Sequence, residues 1–371
     1  MHALVAFDKF KDGLSAAAAC EIAVGALQAR HPDWTFDLCP LTDGGESFAE
    51  IMTGAAGGRM DYHVVRGPLG EPVRAGIGCV RAACLSAAVW SRLTLSGSET
   101  VAVIGMASAS GLELVPAAQR NPWLTSTRGT GELIALAHRA GADVILLGVG
   151  GSATNDLGLG ALSALGWSFA RDPIPANWAA LRFMEGRTEL PPVFIACDVV
   201  NPLLGPQGAT ATFGPQKGLA PADVPRLEAE AARLAARLCD AAGKPRSLVE
   251  TPGSGAAGGI AFGLMVAAGA RLTPGFDLVA DWLGLEKRIA AADLVITGEG
   301  RFDATSLAGK GPGSLVRTAR SLGNMAHVFA GSLGLPEDKF HHAITPPGMP
   351  LGEALPRCPE LLVAALGRGL G

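Results

Sequence analysis

The sequence predicts an α/β protein with more than one domain. Short apolar runs typical of buried strands recur along the chain, and six of them end in glycine and polar residues before a helix-like segment. Strands and helices that alternate in this way form helix-covered sheets, whose ligands bind at the carboxyl ends of the strands. Because 371 residues exceed one ordinary core, we expect two α/β domains and a cleft along the strand ends.

Composition and charge favour a small-molecule role in the cytoplasm. The net charge is −4 and the pI about 6.0, so no basic field is present to attract nucleic acid or an anionic membrane. Residues 1–8 lack the basic start of a signal peptide, and residues 255–270 are too few and too small to span a bilayer. The seven cysteines are scattered without a Cys-x-x-Cys pair, which argues for a reducing compartment and against structural zinc.

The first predicted strand delivers charged residues to its carboxyl end. Residues 1–8 form this strand, and Lys9 and Lys11 follow it, before a helix predicted at residues 16–30. At a strand end the two lysines form a candidate anion site. Lysines in a loop are also often only solvated, and that alternative stays open.

The character of the sequence changes near residue 62. Before it, a strand at residues 34–40 leads to Asp43 and Glu46, two acids able to hold a metal or accept a proton, although Asp-Gly is also a common turn. After it come short β-like pieces, so we place a domain boundary here. Residues 79–98 have no strong period and predict an extended hairpin or a loop.

A glycine-rich loop follows a predicted strand whose short, wholly apolar run begins after Asp143. Gly150 and Gly151 let the backbone approach a ligand, and a helix predicted at residues 156–166 offers unpaired N–H groups to an anion. We therefore expect a phosphate or carboxylate at this loop. The alternative is that Ser152 only caps the helix and the glycines only turn the chain.

Further charged residues end two later strands. Asp198 follows one of them and is a candidate general base, because a carboxylate at a buried strand end can have its pKa shifted for catalysis. An Asp before a turn is also often structural. The next such strand ends in Glu299, Arg301 and Asp303, with Lys310 as a nearby cation.

The polar residues at the strand ends suit phosphoryl transfer. They are Asp, Glu, Lys, Arg, Ser and Thr with many glycine N–H groups, which can position phosphates and Mg²⁺ and supply a base for an attacking hydroxyl. Ala304 replaces the first glycine of a Walker A loop that would end at Lys310. Gly298 and Gly300 lead on to Asp303, which breaks the Gly-x-Gly-x-x-Gly motif and weakens a nicotinamide-enzyme interpretation.

Nine short motifs occur in order over nearly the whole chain. They are Phe10-Lys11-x-Gly-Leu-Ser-Ala, Thr42-Asp-Gly-Gly-Glu46, Gly129-Thr-Gly-Glu-Leu133, Gly150-Gly-Ser-Ala-Thr-Asn-Asp156, Ala196-Cys-Asp198-Val-x-Asn-Pro-Leu203, Phe213-Gly-Pro-Gln-Lys217, Gly255-Ala-Ala-Gly-Gly259, Ile296-Thr-Gly-Glu-Gly300 and Ala330-Gly-Ser-Leu333. Together they resemble the bacterial glycerate kinases of the first type. The resemblance implies that ATP and Mg²⁺ are used to phosphorylate D-glycerate to 2-phosphoglycerate.

The resemblance also implies a domain organisation. A Rossmann-like α/β domain is built from both chain ends, residues 1–62 and 269–371, and a second α/β domain, residues 63–268, is inserted between them. The partner is then a small-molecule substrate in a cleft, with no nucleic acid or membrane involved. The sequence leaves the oligomeric state and the identity of the metal site open.

Carried onto this sequence, the resemblance implies that Asp198, Asp43 and Lys11 lie nearest the reacting hydroxyl and the transferred phosphoryl group. Asp198 is the first choice for the base and Asp43 the second, and either acid is instead a candidate Mg²⁺ ligand. The residues assigned to the substrate carboxylate or to the metal are Glu299, Arg301 and Asp303. Arg301 or Lys11 is the charge-assisted partner of that carboxylate. The residues assigned to the nucleotide phosphates are Gly150, Gly151, Ser152 and Asn155.

Some positions depart from the pattern of that family. Gly105 stands where an acid is usual, which places the exact substrate in question, and Ser47 and Leu157 replace glycines. Residues 79–98 are longer than the corresponding family segment. Two alternatives therefore stay open: a kinase for another small hydroxy acid, and a non-catalytic relative that binds a metabolite.

Overall fold

A computed structural model of the chain describes residues 1–181, 184–308, 311–336 and 338–371. Lys310, named above as a cation near Glu299, lies outside the described residues. The strands of the described residues are β1 (His2–Phe7), β2 (Thr35–Leu38), β3 (Arg59–Arg66), β4 (Pro72–Arg81), β5 (Thr100–Gly105), β6 (Val144–Gly148), β7 (Ser168–Phe169), β8 (Met184–Glu185), β9 (Val193–Ala196), β10 (Arg271–Thr273), β11 (Leu294–Gly298), β12 (Arg301–Phe302), β13 (Met325–Ala330), β14 (Ser332–Leu333) and β15 (His341–Ala343). The helices are α1 (Ala16–Arg30), α2 (Phe48–Ala55), α3 (Ala87–Leu93), α4 (Ala107–Ser110), α5 (Arg128–Arg139), α6 (Leu159–Ala164), α7 (Ala209–Phe213), α8 (Val224–Ala242), α9 (Ala256–Ala268), α10 (Gly275–Leu283), α11 (Leu285–Ala291), α12 (Ala304–Ala308), α13 (Pro312–Ser321), α14 (Leu351–Ala354) and α15 (Cys358–Gly369).

The chain divides into two compact units. The first unit contains Met1–Asp43 and Val279–Gly371, and the second contains Gly44–Leu278. One sheet is built from both chain ends and the other from the middle of the chain, so the predicted α/β class is confirmed at this level. The predicted domain limits at residues 62/63 and 268/269 stay a prediction.

The first sheet is parallel throughout. Its strands lie in the order β15-β13-β11-β1-β2. Residues 3–7 of β1 and all of β11 are buried, as their unbroken apolar runs predict for strands covered on both faces. Phe7 pairs with Gly298, so the residues that follow β1 and β11 leave the sheet side by side.

The second sheet is mixed. Its order is β10-β9-β6-β5-β4-β3; the pairs from β10 to β5 are parallel, and β4 and β3 add antiparallel strands. Every residue of β6 is buried. Gly148 pairs with both Gly105 and Ala196, so three parallel strands end together at one edge of the sheet.

Residues 79–98 lead from β4 towards its antiparallel partner β5, as the predicted hairpin requires, but the connection contains a helix that the sequence did not indicate. Strand β4 continues to Arg81, and α3 follows after a short 3-10 turn. Ser86 caps α3 by accepting a hydrogen bond from the Val89 N–H at 3.3 Å, while Val89 and Leu93, one helical turn apart, are buried. Helix α3 is only seven residues long, which is too short for a clear periodic signal in the sequence.

The small-residue stretch at residues 253–259 does not open a regular helix. Ala257, Gly258 and Gly259 have φ values of 54°, 73° and 91°, all in the left-handed region, so the regular part of α9 begins after them. A Cβ on Gly259 would lie 3.0 Å from the Leu157 Cα, so the irregular turn permits close backbone packing.

Two residues that replace family glycines keep a glycine-like backbone. Ser47 and Leu157 have φ values of 62° and 57°. A side chain in this region costs roughly 1–2 kcal/mol compared with the right-handed conformation. Both loops therefore retain the backbone that the family pattern implies, at an energetic cost.

Glycines within the second unit provide a test of close helix packing. In α5, a Cβ on Gly131 would lie 2.6 Å from the Ala161 Cα, whereas a Cβ on Gly54 in α2 would have no atom within 4 Å. We expect Gly131→Ala to lower the free energy of unfolding by about 1–3 kcal/mol through overpacking. The matched control Gly54→Ala should raise it by about 0.5–1 kcal/mol. Urea unfolding followed by circular dichroism measures both changes; equal effects would exclude the close contact.

Candidate active site

Three acids lie at the carboxyl edge of the first sheet. Asp8 follows β1 and Glu299 follows β11, and the two strands pair directly. Asp43 comes after β2, in a segment held beside β1 by the Leu41 N–H, which donates to the Phe7 carbonyl at 2.8 Å. The structure therefore brings Asp43 and Glu299, both predicted site residues, to the same edge, together with Asp8.

Asp8 was not among the predicted site residues, although it ends the first predicted strand. Burial, and next the nearby negative charge of Asp43, raise the pKa of Asp8 to about 7. The Lys9 N–H donates to Asp8 Oδ1 at 2.7 Å and opposes this shift, while Lys9 Nζ lies 3.3 Å from Asp43 Oδ1. Lys9 thus connects the two acids.

The surroundings of Glu299 also disfavour its negatively charged form. Burial raises its pKa, and the charges of Asp303 and Asp43 add to the effect, while the Ser306 hydroxyl opposes it. Within the described part of the chain, Oε1 of Glu299 is buried without a hydrogen-bond partner. A cation or a donor group supplied by a ligand would satisfy this oxygen.

Lys11 and Arg301 lie on adjoining segments of the first unit. Lys11 is exposed in a tight turn closed by a hydrogen bond from the Phe10 N–H to the Leu14 carbonyl at 2.8 Å. A Cβ on Gly300 would lie 3.4 Å from the Lys11 nitrogen, so the turn packs against the start of the Arg301 segment. The exposed Arg301 pairs with Asp303 through Nε and Oδ2 at 3.1 Å. Both predicted carboxylate partners are therefore neighbours along the same edge.

In the second unit, the glycines of the predicted phosphate loop pack against another loop. The Gly150 N–H donates to the Gly44 carbonyl at 2.9 Å, and a Cβ on Gly150 would lie 2.6 Å from the Gly45 nitrogen. Gly151 has a φ of 70° and would meet the Glu46 carboxylate if it carried a Cβ. The close backbone approach expected for these glycines is made here by another segment of the chain.

Ser152 does not cap the helix that follows, because α6 begins only at Leu159. Asp156 instead accepts hydrogen bonds from the Gly158 and Gly160 N–H groups at 3.1 and 3.2 Å. These bonds engage N–H groups at the helix start that the sequence assigned to a ligand. The expected contribution of this helix to anion binding is therefore wrong, and the role of Gly150, Gly151, Ser152 and Asn155 in binding phosphate stays a prediction.

Thr130, from the third of the ordered motifs, lies inside α5, which begins at Arg128. Its hydroxyl is fully buried and shares a 2.7 Å hydrogen bond with the hydroxyl of Ser110. This buried bond contributes to the packing of the helix.

Lys217 is a buried cation that the sequence patterns did not single out. Its Nζ donates to Ser152 Oγ at 2.8 Å and to the Thr154 carbonyl at 2.6 Å. Burial lowers the pKa of Lys217 to about 7, against the opposing attraction of Asp156, whose own pKa is raised by burial. A lysine within a short turn gives no local sign of burial; its place in an ordered motif was the available signal.

Asp198 follows β9 at the carboxyl edge of the second sheet and is half-buried. Its Oδ2 accepts a hydrogen bond from the Phe276 N–H at 2.9 Å, at the first turn of α10. This bond is what the structural alternative for an Asp before a turn requires. The same bond fixes the orientation of the carboxylate, which is compatible with a role as a base. That role stays a prediction.

Two negative findings apply to the described residues. They include no group of three or more His, Cys, Asp or Glu side chains placed to hold a metal ion. They also include no helix that is both long and apolar enough to cross a membrane.

Parallel strands whose carboxyl ends carry acids, lysines and glycine turns are typical of α/β enzymes, and these residue types suit phosphoryl transfer. Residues 3–362 match the glycerate kinase family. The chain belongs to this family, as the ordered motifs predicted, and its membership of a kinase family implies the use of ATP.

Named relatives cover nearly the whole chain. It is 37% identical to a glycerate kinase from Bacillus subtilis (strain 168), over 98% of this chain and 95% of the relative. It is 38% identical to a glycerate 2-kinase from Escherichia coli (strain K12), over 90% and 86%. A crystal structure from Salmonella typhimurium LT2, described as a candidate glycerate kinase 2, matches with a TM-score of 0.72 and 34% identity, covering 100% of this chain and 97% of that one.

The raised pKa of Asp8 predicts a specific pH dependence of stability. The pKa in the folded protein, about 7, lies above the ordinary 3.8, so the folded state binds this proton more tightly than the unfolded chain. The resulting stability is fully present below about pH 4 and is lost as the pH rises through 7. We expect Asp8→Asn to reduce this loss by about 2–4 kcal/mol. Urea unfolding of the metal-free protein from pH 4 to 8 measures it.

The exposed Asp33 of the same unit provides the control for Asp8. Asp33→Asn should leave the pH dependence of the wild type unchanged. If Asp8→Asn also left it unchanged, Asp8 would not be the group that titrates.

Proposed function

We propose that the protein transfers the γ-phosphoryl group of ATP to the 2-hydroxyl group of D-glycerate, giving 2-phosphoglycerate and ADP. The observation that carries the proposal is the nearly full-length match to a family that includes a glycerate 2-kinase. The acids and cations at the strand ends support it, because phosphoryl transfer is mainly positioning and charge stabilisation.

The carboxylates of the first unit fit a Mg²⁺ ion. Kinase sites bind Mg²⁺ through one or two carboxylates together with substrate phosphates. One or two of Asp8, Asp43 and Glu299 would supply oxygen ligands, since the described residues hold no group of three placed for one ion. The Oε1 atom of Glu299, which has no partner among the described residues, and the raised pKa values of Asp8 and Glu299 favour a nearby cation. When bound, the ion would neutralise charge on the phosphate oxygens. Asp303 remains a further candidate ligand.

The base that accepts the proton of the 2-hydroxyl group is assigned to Asp198, with Asp43 as the second choice. The Phe276 N–H holds one oxygen of Asp198, so the carboxylate does not have to reorient during the reaction. If Asp43 is the base, Asp198 becomes the candidate metal ligand. The two assignments can be told apart by the metal. A higher Mg²⁺ concentration should restore activity when the metal ligand is substituted but not when the base is substituted.

The substrate carboxylate is assigned to Arg301 or Lys11, with Glu299 and Asp303 beside them. Arg301 is exposed and already paired with Asp303, which restricts the orientation of its guanidinium group. A planar guanidinium group can hold a carboxylate through two hydrogen bonds.

The nucleotide phosphates are assigned to Gly150, Gly151, Ser152 and Asn155. The Gly150 N–H already bonds to Gly44, so its contribution would be close packing of the loop rather than a donor. Ser152 supplies a hydroxyl group and Asn155 an amide. The Oδ1 atom of Asn155 is buried without a partner among the described residues, which favours a polar group of a ligand or water beside it.

We also propose the domain organisation and the location that the sequence suggested. The first domain is Rossmann-like and spans residues 1–62 and 269–371, and the second spans residues 63–268. All seven cysteines are free, which supports a reducing compartment such as the cytoplasm.

Substitution of the candidate bases tests the mechanism. We expect Asp198→Asn to lower kcat by about 10²–10⁴-fold, since the amide cannot accept the proton. Asp43→Asn should also lower activity, through the base or the metal. Coupled detection of ADP release with D-glycerate measures both. The exposed Asp172 gives the control Asp172→Asn, which should leave kcat unchanged. Undiminished turnover in both Asp198→Asn and Asp43→Asn would contradict these assignments.

Substitution of Arg301 tests the carboxylate site. Arg301→Met should raise the KM for D-glycerate by roughly 10-fold or more while the KM for ATP stays nearly constant, because one charge-assisted bond is lost. Arg357 is matched to it, since it is also exposed and pairs with an acid, Glu353, at 3.0 Å. Arg357→Met should change neither KM. A rise in the KM for ATP alone would place Arg301 at the nucleotide.

A kinase for another small hydroxy acid is the second candidate function. Gly105 motivates it, because the family pattern places an acid at this strand end, and a Cβ there would meet the Phe48 Cβ at an ordinary 3.5 Å. A screen of D-glycerate, L-glycerate, glycolate and lactate by ADP release separates the two functions. Phosphorus NMR of the product then distinguishes 2-phosphoglycerate from 3-phosphoglycerate.

A further inference from the structure

We propose that Lys217 is a positioning residue that orients the Ser152 hydroxyl group toward an anionic oxygen of the nucleotide phosphates. The inference rests on the proposed function, because it concerns the phosphate subsite of that same reaction. It assigns a role to a residue outside the predicted set.

No ion pair among the described residues explains the burial of Lys217. Its side chain is only 1% exposed. Lysines are almost never fully buried unless they are paired with an acid. Within the described residues, no carboxylate lies within ion-pair distance of Nζ, whose partners are a hydroxyl group and a carbonyl group. An apolar side chain would fill the same space at lower cost, so the charge is retained for another purpose.

The direction of the hydrogen bonds determines what Ser152 can do. The ammonium group of lysine has three donors and no acceptor, so Nζ must donate to Ser152 Oγ. The hydroxyl hydrogen of Ser152 then remains for an acceptor other than Lys217. A phosphate oxygen is such an acceptor, and the positive charge behind Oγ strengthens the hydroxyl as a donor.

A second bond holds the loop in place. Nζ also donates to the Thr154 carbonyl at 2.6 Å, so Lys217 fixes the chain on both sides of Ala153. The loop is held further by the Leu112 N–H, which donates to the Gly151 carbonyl at 2.7 Å. Ser152 is itself 8% exposed, which leaves its hydroxyl little freedom to rotate away.

The backbone around Lys217 directs the side chain inward. The residue ends a 3-10 turn, and its N–H donates to the Gly214 carbonyl at 3.0 Å. Gly218 follows with a φ of 90°, and the Arg120 carbonyl occupies the place that its Cβ would take. Only glycine fits this reversal, so the position of Lys217 is fixed by the chain on both sides.

The charge of Lys217 predicts a pH dependence of nucleotide binding, which a purely structural lysine would lack. Asp156 is the charged side chain that acts on Lys217, and Arg120 approaches the turn through its backbone carbonyl. Burial lowers the pKa of Lys217 to about 7, so the free protein loses this proton as the pH rises through that value. Phosphate binding favours the ammonium form, so affinity for the nucleotide should fall over the same pH range.

The experiment measures binding of a β,γ-imido ATP analogue with Mg²⁺ by calorimetry from pH 6 to 9, and glycerate turnover in parallel. We expect Lys217→Met and Ser152→Ala each to weaken analogue binding by roughly 10-fold or more. The double variant should bind the analogue as tightly as the single variant of lower affinity, because the two residues act through one interaction. Lys217→Met should also lose the pH dependence of binding. The exposed Lys244 provides the control, Lys244→Met, which should match the wild type.

The outcomes separate this inference from the proposed function. Wild-type affinity in folded Ser152→Ala, additive effects in the double variant, or wild-type binding that is flat from pH 6 to 9 would each overturn the role of Lys217. The affinity of Ser152→Ala and the pH dependence of the wild type do not require Lys217→Met to fold. If the wild type binds the analogue with the expected pH dependence but releases no ADP with glycerate, the proposed substrate fails while the role of Lys217 stands.

Discussion

Parallel pairing of strands that end in acids is the constraint on which the first unit depends. The register that places Phe7 opposite Gly298 forces Asp8 and Glu299 to leave the sheet together. Both carboxyl groups are then partly removed from water and close to other acids, which raises their pKa values. Such an arrangement is costly in the protein alone. A divalent cation with its bound phosphates would offset the cost, which fits the chemistry of a kinase.

The second unit also holds a charged group in a buried position, and it does so with Lys217 and closely packed backbones. The loop that contains Ser152 is held by Gly44 through the Gly150 N–H and by Lys217 through two hydrogen bonds. A loop fixed in this way does not have to reorganise when a charged ligand arrives. Such preorganisation is the main means by which enzymes stabilise developing charge.

Much of the local structure could be predicted from sequence because its signal is local. The apolar run at β6 predicted a strand buried on both faces, and α1 has the predicted limits because Ser15 caps its start, accepting from the Ala18 N–H at 3.2 Å. The predicted start of α6 at residue 156 was wrong because the Asp156 carboxylate accepts a hydrogen bond from the Thr127 N–H, 29 residues away in the chain. A competing bond of that kind leaves no mark in the periodicity of the segment.

The sequence by itself determined the α/β class, the family and the set of acids and glycines at the strand ends. These follow from apolar runs, turn residues and motif order, which all lie within short stretches of chain. Only the tertiary structure decided that Asp8 is half-buried beside Asp43, and that Lys217 reaches a hydroxyl 65 residues away in the chain. The reason is physical: burial and hydrogen bonding depend on which distant segments meet, whereas hydrophobic periodicity reports only the segment in which it occurs.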